Sequence, residues 1–214
     1  MKLHPEVLLV FLRYPEAGAV KTRLIPKLGE VAAARLYRRI AEQVVDETDG
    51  MVHRGLSRVA VVSPPGMVSE TKAWLGDRLN YLPEAGYNLA THLEKAFDHA
   101  FDCGAKRVVA IGTDCIDLRV AHLRKAFSIL HRKDFVLGPA EDGGVTVIGL
   151  RKPRPEIFAG IAWGTDHVFE QLKAKLLPLN ASVEFLQRLR DIDRYEDVVA
   201  LAPAWPDLLG EFVS

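Results

Sequence analysis

The stretch FVLGPAEDGGVTVIGL, residues 135–150, decides which kind of α/β sheet this chain can form. It contains two apolar runs, Phe135–Gly138 and Val145–Leu150, which are joined only by residues 139–144. A crossover between parallel strands needs a dozen or more residues, so this short connection cannot make one. The two runs are predicted to pair antiparallel, or one of them must leave the main sheet. The sequence therefore predicts a mixed sheet.

Elsewhere, short apolar runs alternate with helical patterns, an order typical of a mostly parallel sheet covered by helices. Apolar residues at helical spacing predict helices over residues 33–44, 89–100, 123–130, 168–176 and 194–201. Further strands are predicted at Val7–Leu12, Arg58–Ser63, Arg107–Ile111 and Val183–Leu186. No repeat or long linker interrupts this order. We therefore expect a single α/β domain over residues 1–214, a three-layer sandwich with a mixed, mostly parallel sheet.

The composition disfavours several classes of protein. The 28 Lys and Arg residues equal the 28 Asp and Glu residues, whereas nucleic-acid-binding domains usually carry a basic excess. The first apolar run is too short to span a bilayer or to form the core of a signal peptide. Cys103 and Cys115 form neither a metal-binding pair nor a disulfide framework. These features predict a cytoplasmic protein without a nucleic-acid or membrane partner, and they leave a homodimer open.

The loop after the first strand, RYPEAGAVKTRL at residues 13–24, is the first candidate site. Ligands of open α/β sheets bind at the carboxyl ends of the strands, where this loop lies. Gly18 permits an unusual backbone angle, and Arg13 adds a cation at the start of the loop. Lys21 and Arg23 flank the Thr22 hydroxyl, and the Arg23 fork matches phosphate oxygens. The loop therefore suits a small polyanion, with a solvated basic loop as the alternative.

The turn GTDCID, residues 112–117, places a carboxylate at the tip of a buried strand. Asp114 is the predicted ligand of Mg²⁺ or Mn²⁺, because both cations prefer oxygen ligands. Two aspartates three residues apart are a loose version of the Asp-x-Asp pattern of transferases. Asp117 has a structural interpretation as the N-cap of a helix that begins near Leu118.

The glycines of GPAEDGG, residues 138–144, allow two interpretations. Gly143 and Gly144 let the backbone after Asp142 approach a ligand closely. Asp-Gly is also a strong signal for an ordinary hairpin turn, and taken alone this second interpretation is favoured.

The segment AWGTDH, residues 162–167, is also ambiguous. Trp163 either stacks on a base or sugar or packs against the protein. Thr165 is predicted to be the N-cap of the helix that ends at Leu176. His167, in the first turn, is interpreted as structural in preference to a metal ligand.

The segment DIDRYED, residues 191–197, offers a second carboxylate. Asp193 and Glu196 fit an acidic form of the capping box, which explains both residues structurally. Asp191 remains available and is predicted to be a second ligand of the cation.

Together and in this order, these segments resemble a bacterial family of glycosyltransferase-A-like proteins linked to glycosyl transfer in arsenosugar biosynthesis. The family pattern is present as KTRL at 21–24, GTDC at 112–115, GPAEDGG at 138–144, WGT at 163–165 and DID at 191–193. The resemblance spans nearly the whole chain, and the joint order is much more specific than any single motif.

The resemblance implies a nucleotide-diphospho-sugar transferase fold, and with it a nucleotide partner and Mg²⁺ or Mn²⁺. It places the cation at Asp114, which Asp191 would help to hold, and a general base at Asp142. The predicted phosphate-binding residues are Arg13, Gly18, Lys21, Thr22 and Arg23. The predicted substrate pocket contains Thr113, Gly143, Gly144 and Trp163.

Four positions depart from the family pattern. Ile116 replaces a proline, Val145 replaces an aromatic residue, Asn88 replaces an aspartate in an Asp-Leu-Gly segment, and Arg13 replaces a lysine. The changes at Asn88 and Val145 predict a different acceptor or weakened catalysis.

The leading functional hypothesis is a metal-dependent glycosyltransferase that moves a sugar from a nucleotide-diphosphate donor to an unknown acceptor. One alternative is a nucleotidyltransferase that uses a nucleoside triphosphate, because KTRL also resembles the Gly-Thr-Arg-Leu of sugar nucleotidylyltransferases and the start of phospholactate guanylyltransferases. Another is a catalytically weakened protein that only binds nucleotide. All three hypotheses require Arg23 and Asp114 to face one crevice.

Overall fold

One mixed sheet organises the computed structural model, which describes residues 2–51 and 55–213. Within these residues seven strands pair in the order β3-β2-β1-β4-β6-β5-β7, and only β6 runs antiparallel to its neighbours. The prediction of a mixed, mostly parallel sheet is confirmed, and β6 stays within it. The strands are β1 Glu6–Arg13, β2 Leu56–Ser63, β3 Asn80–Pro83, β4 Arg107–Ile111, β5 Phe135–Pro139, β6 Val145–Leu150 and β7 Val183–Phe185.

Strand β1 is apolar on both faces because both faces are covered by helices. Leu8 and Val10 belong to one buried cluster, whereas Val7 and Leu9 belong to a second cluster on the opposite side. All four side chains are at most 1% exposed, and burying each contributes about 1.5–3 kcal/mol to folding. This double burial explains why the strand reads as a continuous apolar run.

The helices form the two outer layers of the three-layer sandwich. Apolar residues of α2 and α5 lie in the first cluster, and those of α4 and α6 lie in the second. Among the residues that the structure describes, no helix is long and apolar enough to cross a membrane. The helices are α1 Ile25–Leu28, α2 Glu30–Asp49, α3 Val68–Leu75, α4 Leu89–Asp102, α5 Val120–Leu130, α6 Val168–Leu176, α7 Tyr195–Leu201 and α8 Pro206–Leu209.

The predicted cap at Asp117 is wrong. Helix α5 begins at Val120, and Arg119 occupies the N-cap position. The Asp117 carboxylate instead accepts a hydrogen bond from the Trp205 indole at 3.0 Å. Asp117 therefore helps to hold the C-terminal segment against the sheet layer.

The predicted cap at Thr165 is also wrong, because α6 begins three residues later and His167 is its N-cap residue. The Thr165 hydroxyl donates to the Ala162 carbonyl at 2.7 Å and accepts from the His167 amide at 3.3 Å. Thr165 thus stabilises the turn that precedes the helix.

The capping box predicted for Asp193 and Glu196 is displaced by one residue. Helix α7 begins at Tyr195, and the Asp197 carboxylate accepts from the backbone amides of Asp193 at 3.1 Å and Arg194 at 2.8 Å. Asp197 therefore performs the capping role, and the Asp193 side chain is left for other contacts.

Strand β3 and helix α3 were not predicted from the sequence. Strand β3 has only four residues, ends at Pro83 and lies at the edge of the sheet, where a proline is tolerated. Its partial exposure removes the apolar pattern on which strand prediction depends.

We expect Thr71→Val to raise the free energy of unfolding by about 1 kcal/mol, because the substitution removes an unsatisfied buried hydroxyl. Thr71 lies in α3 with 0% exposure, and its hydroxyl has no hydrogen-bond partner among the described residues. Such a gain would raise the Tm by about 2–4 °C, measurable by calorimetry.

The matched control for this prediction is Thr48→Val. Thr48 is equally buried, but its hydroxyl donates to the Val45 carbonyl at 2.6 Å and accepts from Arg58 at 2.8 Å. Its loss should lower stability by about 1–3 kcal/mol. Equal destabilisation by the two variants would contradict the account of Thr71.

Candidate functional site

A cavity of about 520 Å³ lies where the loops after β1 and β4 meet. These strands are parallel neighbours, so the loops that follow them emerge at the same edge of the sheet. The expectation that Arg23 and Asp114 face one crevice is confirmed. The lining includes these residues, whose functional roles stay predictions: Arg13, Lys21, Thr22, Arg23, Asp114, Asp142, Gly144, Trp163, Asp191 and Asp193.

Lys21 is held within the protein and does not extend into the cavity as a free cation. Its side chain is 6% exposed, and its ammonium nitrogen lies 2.6 Å from Asp114 Oδ1 and 3.2 Å from Asp193 Oδ1. It also donates to the Ile192 carbonyl oxygen, so all three ammonium protons have acceptors. Lys21 thereby ties the first loop to two other segments, a role that differs from the predicted phosphate contact.

The charge of Lys21 is stabilised by these contacts. Burial is the largest influence and acts to lower the pKa of Lys21, but the attraction of Asp114 and Asp193 together outweighs it. The pKa is therefore raised above its ordinary value, and the side chain stays protonated at neutral pH.

Arg13 and Arg23 are the cations of this loop that remain accessible to a ligand. The Arg23 side chain is 56% exposed and lies 3.1 Å from Asp193 Oδ2. Arg13 is exposed and donates to the Ala19 carbonyl at 3.3 Å. Asp193 therefore pairs with two cations, Lys21 and Arg23, which explains why it does not act in the helix cap.

Asp191 is a partly buried carboxylate without a cationic partner of its own. Burial, followed by the charges of Asp114 and Asp142, raises the pKa of Asp191 to about 8. Its carboxylate forms no hydrogen bond or ion pair with another described residue. Such a group fits the chemistry of a divalent cation, which would supply the missing positive charge.

The protein side chains suit a cation whose coordination is completed by ligands from outside the protein. Over residues 2–51 and 55–213, no group of three or more His, Cys, Asp or Glu side chains is arranged to hold a metal ion. Asp114 and Asp191 would thus provide two carboxylates, and water and phosphate oxygens the rest. This arrangement is usual for Mg²⁺, which keeps several waters.

A second cavity of about 590 Å³ continues from the first and shares Arg23, Asp142 and Asp191 with it. Its outer wall includes Arg190, which lies 2.7 Å from Glu141 and is therefore neutralised by it. Asp142 and Asp191 thus stand at the boundary between two spaces, each large enough for a small molecule.

The loop between β5 and β6 is a tight hairpin that presents Asp142. The Ala140 amide donates to the Gly144 carbonyl at 3.0 Å, as the hairpin interpretation predicts. Asp142 is exposed, and its Oδ1 accepts from the Gly144 amide at 2.9 Å. At Gly143, with φ of 87°, a Cβ atom would lie 2.0 Å from the Asp166 carbonyl oxygen, so only glycine fits.

Three predicted site residues lie away from the cavity lining. Thr113 is 2% exposed, and its hydroxyl forms a hydrogen bond with the Tyr37 hydroxyl at 2.9 Å. Thr113 therefore stabilises the turn after β4 from within the protein. Gly143 packs against Asp166, and Gly18 faces Glu30. The structure thus gives these residues positions in turns without contact to either cavity.

Tyr37 is a cavity residue that the sequence reasoning missed, because it was included in the apolar stripe of α2. Its hydroxyl accepts from the Arg13 amide at 2.8 Å and bonds with Thr113. Burial, followed by the nearby charge of Asp114, raises the pKa of Tyr37 to about 12. Tyr37 therefore holds the loop after β1 beside the turn after β4, and a lone polar tip in an apolar stripe was its only signal.

Trp163 forms part of the cavity wall, and its indole donates to the Phe158 carbonyl at 3.2 Å. His167 is exposed and lies 3.4 Å from Asp166, outside both cavities. The ring of Trp163 is thus held at the cavity wall, whereas His167 lies beside Asp166 and lines neither cavity.

The departure at Asn88 has a structural explanation. The Asn88 side chain accepts from the Thr91 amide at 3.0 Å, and the Thr91 hydroxyl accepts from the Asn88 amide at 3.2 Å. This capping box starts α4, and asparagine performs it as well as aspartate does. Of the other departures, Ile116 is buried in the first cluster and Val145 lines the cavity.

Comparison with solved structures identifies the fold. A protein from Desulfovibrio desulfuricans G20, provisionally named a nucleotide-diphospho-sugar transferase, is 30% identical over 99% of each chain with a TM-score of 0.85. The manganese complex of Rv0371c from Mycobacterium tuberculosis H37Rv is 15% identical over 98% of this chain and 100% of that chain, with a TM-score of 0.58. The inositol-1-phosphate CTP transferase from T. maritima is 12% identical over 98% and 96%, with a TM-score of 0.58. The last two likenesses show the fold alone.

Comparison with sequence families places the chain in one bacterial family. A search of curated proteins returns no match. A family model described as "Uncharacterized protein conserved in bacteria (DUF2064)" matches residues 49–165, more than half of the chain. The predicted glycosyltransferase-A-like fold is confirmed by the structural neighbours. The chain belongs to the DUF2064 family and has the nucleotide-diphospho-sugar transferase fold.

Proposed function

We propose that the protein is a metal-dependent glycosyltransferase that uses a nucleotide-diphosphate sugar. One observation carries the proposal: accessible arginines and partly buried carboxylates line one cavity at the carboxyl edge of the sheet. This combination suits a diphosphate and a divalent cation bound together. The fold shared with the Desulfovibrio protein supports a transferase, and its provisional name supports a nucleotide-sugar donor.

In this proposal Arg13 and Arg23 bind the diphosphate of the donor. Both are exposed at the cavity, and a hydrogen bond to a charged group contributes about 1.5–3 kcal/mol. Two or three such bonds contribute about 3–9 kcal/mol, which reaches the roughly 8 kcal/mol of micromolar binding before ordering costs are subtracted. Trp163 would pack against the base or the sugar.

Asp114 and Asp191 would hold Mg²⁺ or Mn²⁺ at the inner wall of the cavity. The bound cation would neutralise the negative charge that develops on the departing nucleoside diphosphate. The manganese complex of the structural neighbour Rv0371c supports this choice of cation.

The acceptor would enter through the second cavity and reach Asp142. Its hydroxyl oxygen forms the new bond to the sugar carbon as the bond between that carbon and the diphosphate breaks. The hydroxyl proton would pass to Asp142, whose Oδ1 accepts from Gly144 and whose Oδ2 accepts no hydrogen bond from another described residue. Asp142 stands at the boundary of both cavities, a position that suits a general base.

Calorimetric titration with UDP- and GDP-sugars in the presence of MnCl₂ tests the proposal. We expect at least one donor to bind with a Kd of roughly micromolar size, and EDTA to weaken that binding by about tenfold or more. If no donor binds to folded protein with either cation, the proposal is wrong.

Nucleotidyl transfer is the second candidate. It is supported by the fold that this chain shares with the inositol-1-phosphate CTP transferase, and by the TRL segment beside the cavity. Release of pyrophosphate from a nucleoside triphosphate in the presence of a phosphorylated acceptor would favour it. Nucleotide binding without turnover of any donor would instead indicate a protein that only binds nucleotide.

A further inference from the structure

Lys21 lies among the same carboxylates that the proposed cation would use. Its ammonium nitrogen is 2.6 Å from Asp114 Oδ1 and 3.2 Å from Asp193 Oδ1, and it donates to the carbonyl of Ile192, the residue after Asp191. The Ile192 amide donates in turn to the Asp114 carbonyl at 2.9 Å. The ammonium group is therefore enclosed by the two segments that carry both predicted metal ligands.

A lysine in this position has the properties of an internal counter-ion. An ammonium is a compact point charge, and it keeps that charge when buried only if carboxylates surround it. The side chain is 6% exposed, compared with 56% for Arg23, which shares Asp193 with it. Any cation that binds Asp114 through Oδ1 must take an oxygen that Lys21 now occupies.

We propose that Lys21 takes the cation position when no divalent cation is bound, and that binding of the divalent cation expels its ammonium group toward the diphosphate of the donor. This inference rests on the cation site of the proposed function. It adds how binding of the cation is coupled to binding of the donor diphosphate. The displaced ammonium needs a new anionic partner, and the donor diphosphate beside Arg13 and Arg23 provides one. Cation and diphosphate should therefore bind cooperatively, each favouring the form of the site that the other needs.

The first test compares Mn²⁺ affinity in wild type and in Lys21→Met, measured by calorimetry and by the electron paramagnetic resonance signal of free Mn²⁺. A site that is mostly blocked binds its ligand more weakly in proportion to the blocked fraction, so we expect Lys21→Met to bind Mn²⁺ alone about tenfold more tightly. Adding GDP or UDP should strengthen Mn²⁺ binding in wild type and do so much less in the variant.

Lys27→Met is the matched control. Lys27 is an exposed residue of α1 outside both cavities, so the same substitution removes one positive charge without touching the carboxylates. We expect its Mn²⁺ affinity to change by less than about twofold, as for most surface charges at ordinary salt. Equal effects of the two variants would overturn the proposal, because they would reduce it to general charge attraction.

A second measurement uses the wild-type protein and does not depend on whether the variant folds. Lysine acetylation by acetic anhydride, followed by mass spectrometry, reports the accessibility of each ammonium group. Lys21 should react slowly without Mn²⁺ and several times faster with it when no nucleotide is present, whereas Lys27 should react equally in both conditions. Unchanged protection of Lys21 in Mn²⁺-saturated protein would overturn the proposal.

These outcomes separate this inference from the proposed function. Mn²⁺ and nucleotide that bind to wild type together, with no gain in Lys21→Met and no exposure of Lys21, would leave the proposed function intact and remove the inference. Failure of both proteins to bind Mn²⁺, with or without nucleotide, would remove both.

Discussion

Asp142→Asn is expected to lower kcat by about 10²–10⁴ while the Kd of the donor changes little, because general-base catalysis contributes a factor of this size. The asparagine oxygen can still accept from the Gly144 amide, the contact that Asp142 Oδ1 makes at 2.9 Å. The hairpin should therefore keep its shape, and only the capacity to accept a proton is lost. The readout is release of nucleoside diphosphate from the donor identified by calorimetry, with water as the acceptor.

Glu141→Gln is the control for this prediction. Glu141 is the preceding residue of the same loop, and its carboxylate pairs with Arg190 at 2.7 Å on the wall of the second cavity, which water, the acceptor in this assay, does not need to contact. Its kcat should stay within about threefold of wild type, since exposed ion pairs contribute at most about 1 kcal/mol. If Asp142→Asn retains more than a tenth of the wild-type kcat, the base is another group.

The fold was predictable where burial leaves a pattern in the sequence. Strands β1 and β4 are covered on both faces, so their apolar residues form unbroken runs, and the short connection before β6 forced the antiparallel pairing. Strand β3 lies at the edge and ends in Pro83, so it carries no such run. The rest of the sheet, including the other edge strand β7, follows from local sequence, whereas β3 depends on its neighbour β2.

The sequence predicted which residues line the site, but not which of them form ion pairs with each other. Chain order places the loops after β1 and β4 at one edge, which is why Arg23 and Asp114 were expected in one crevice. Which cationic side chain pairs with which carboxylate depends on the conformations of the side chains in the folded protein. The sequence therefore gave no indication that Lys21 would be enclosed by Asp114 and Asp193.

The N-terminal ends of α5, α6 and α7 show the same limit at short range. Each predicted cap was a residue of suitable type two or three positions before the real helix start, as with Asp117 and Thr165. Several Asp and Thr residues close together in the sequence can cap a helix equally well. Tertiary contacts determine which position becomes the N-cap. The indole of Trp205 binds Asp117, and the capping-box role predicted for Glu196 is taken by Asp197.

Asp191→Asn is expected to stabilise the metal-free protein at high pH by several kcal/mol, at about 1.36 kcal/mol for each pH unit by which the pKa is raised, because it removes a charge that the fold disfavours. Burial, then Asp114 and Asp142, raises the pKa of Asp191 from 3.8 to about 8. Between these values the native state holds a proton that the unfolded chain releases, so wild-type stability falls as pH rises. The variant has no such group; its advantage should be near zero at about pH 4 and full above about pH 8.

Chemical unfolding at pH 4.5, 7 and 9, with EDTA and then with MnCl₂, measures both parts of this prediction. A cation that binds only the native state adds about 2.7 kcal/mol at a hundred times its Kd, and wild type should gain this amount while Asp191→Asn gains much less. The advantage of the variant at high pH should therefore shrink by up to about 2.7 kcal/mol when Mn²⁺ is added. A variant that is less stable than wild type at pH 9 in EDTA would mean that the Asp191 carboxylate is stabilised by the fold, and would remove the reason for a cation at that position. The expected loss of advantage follows instead from one carboxylate without an ion-pair partner among the described residues, which makes the metal-free protein less stable and gives the cation its binding energy.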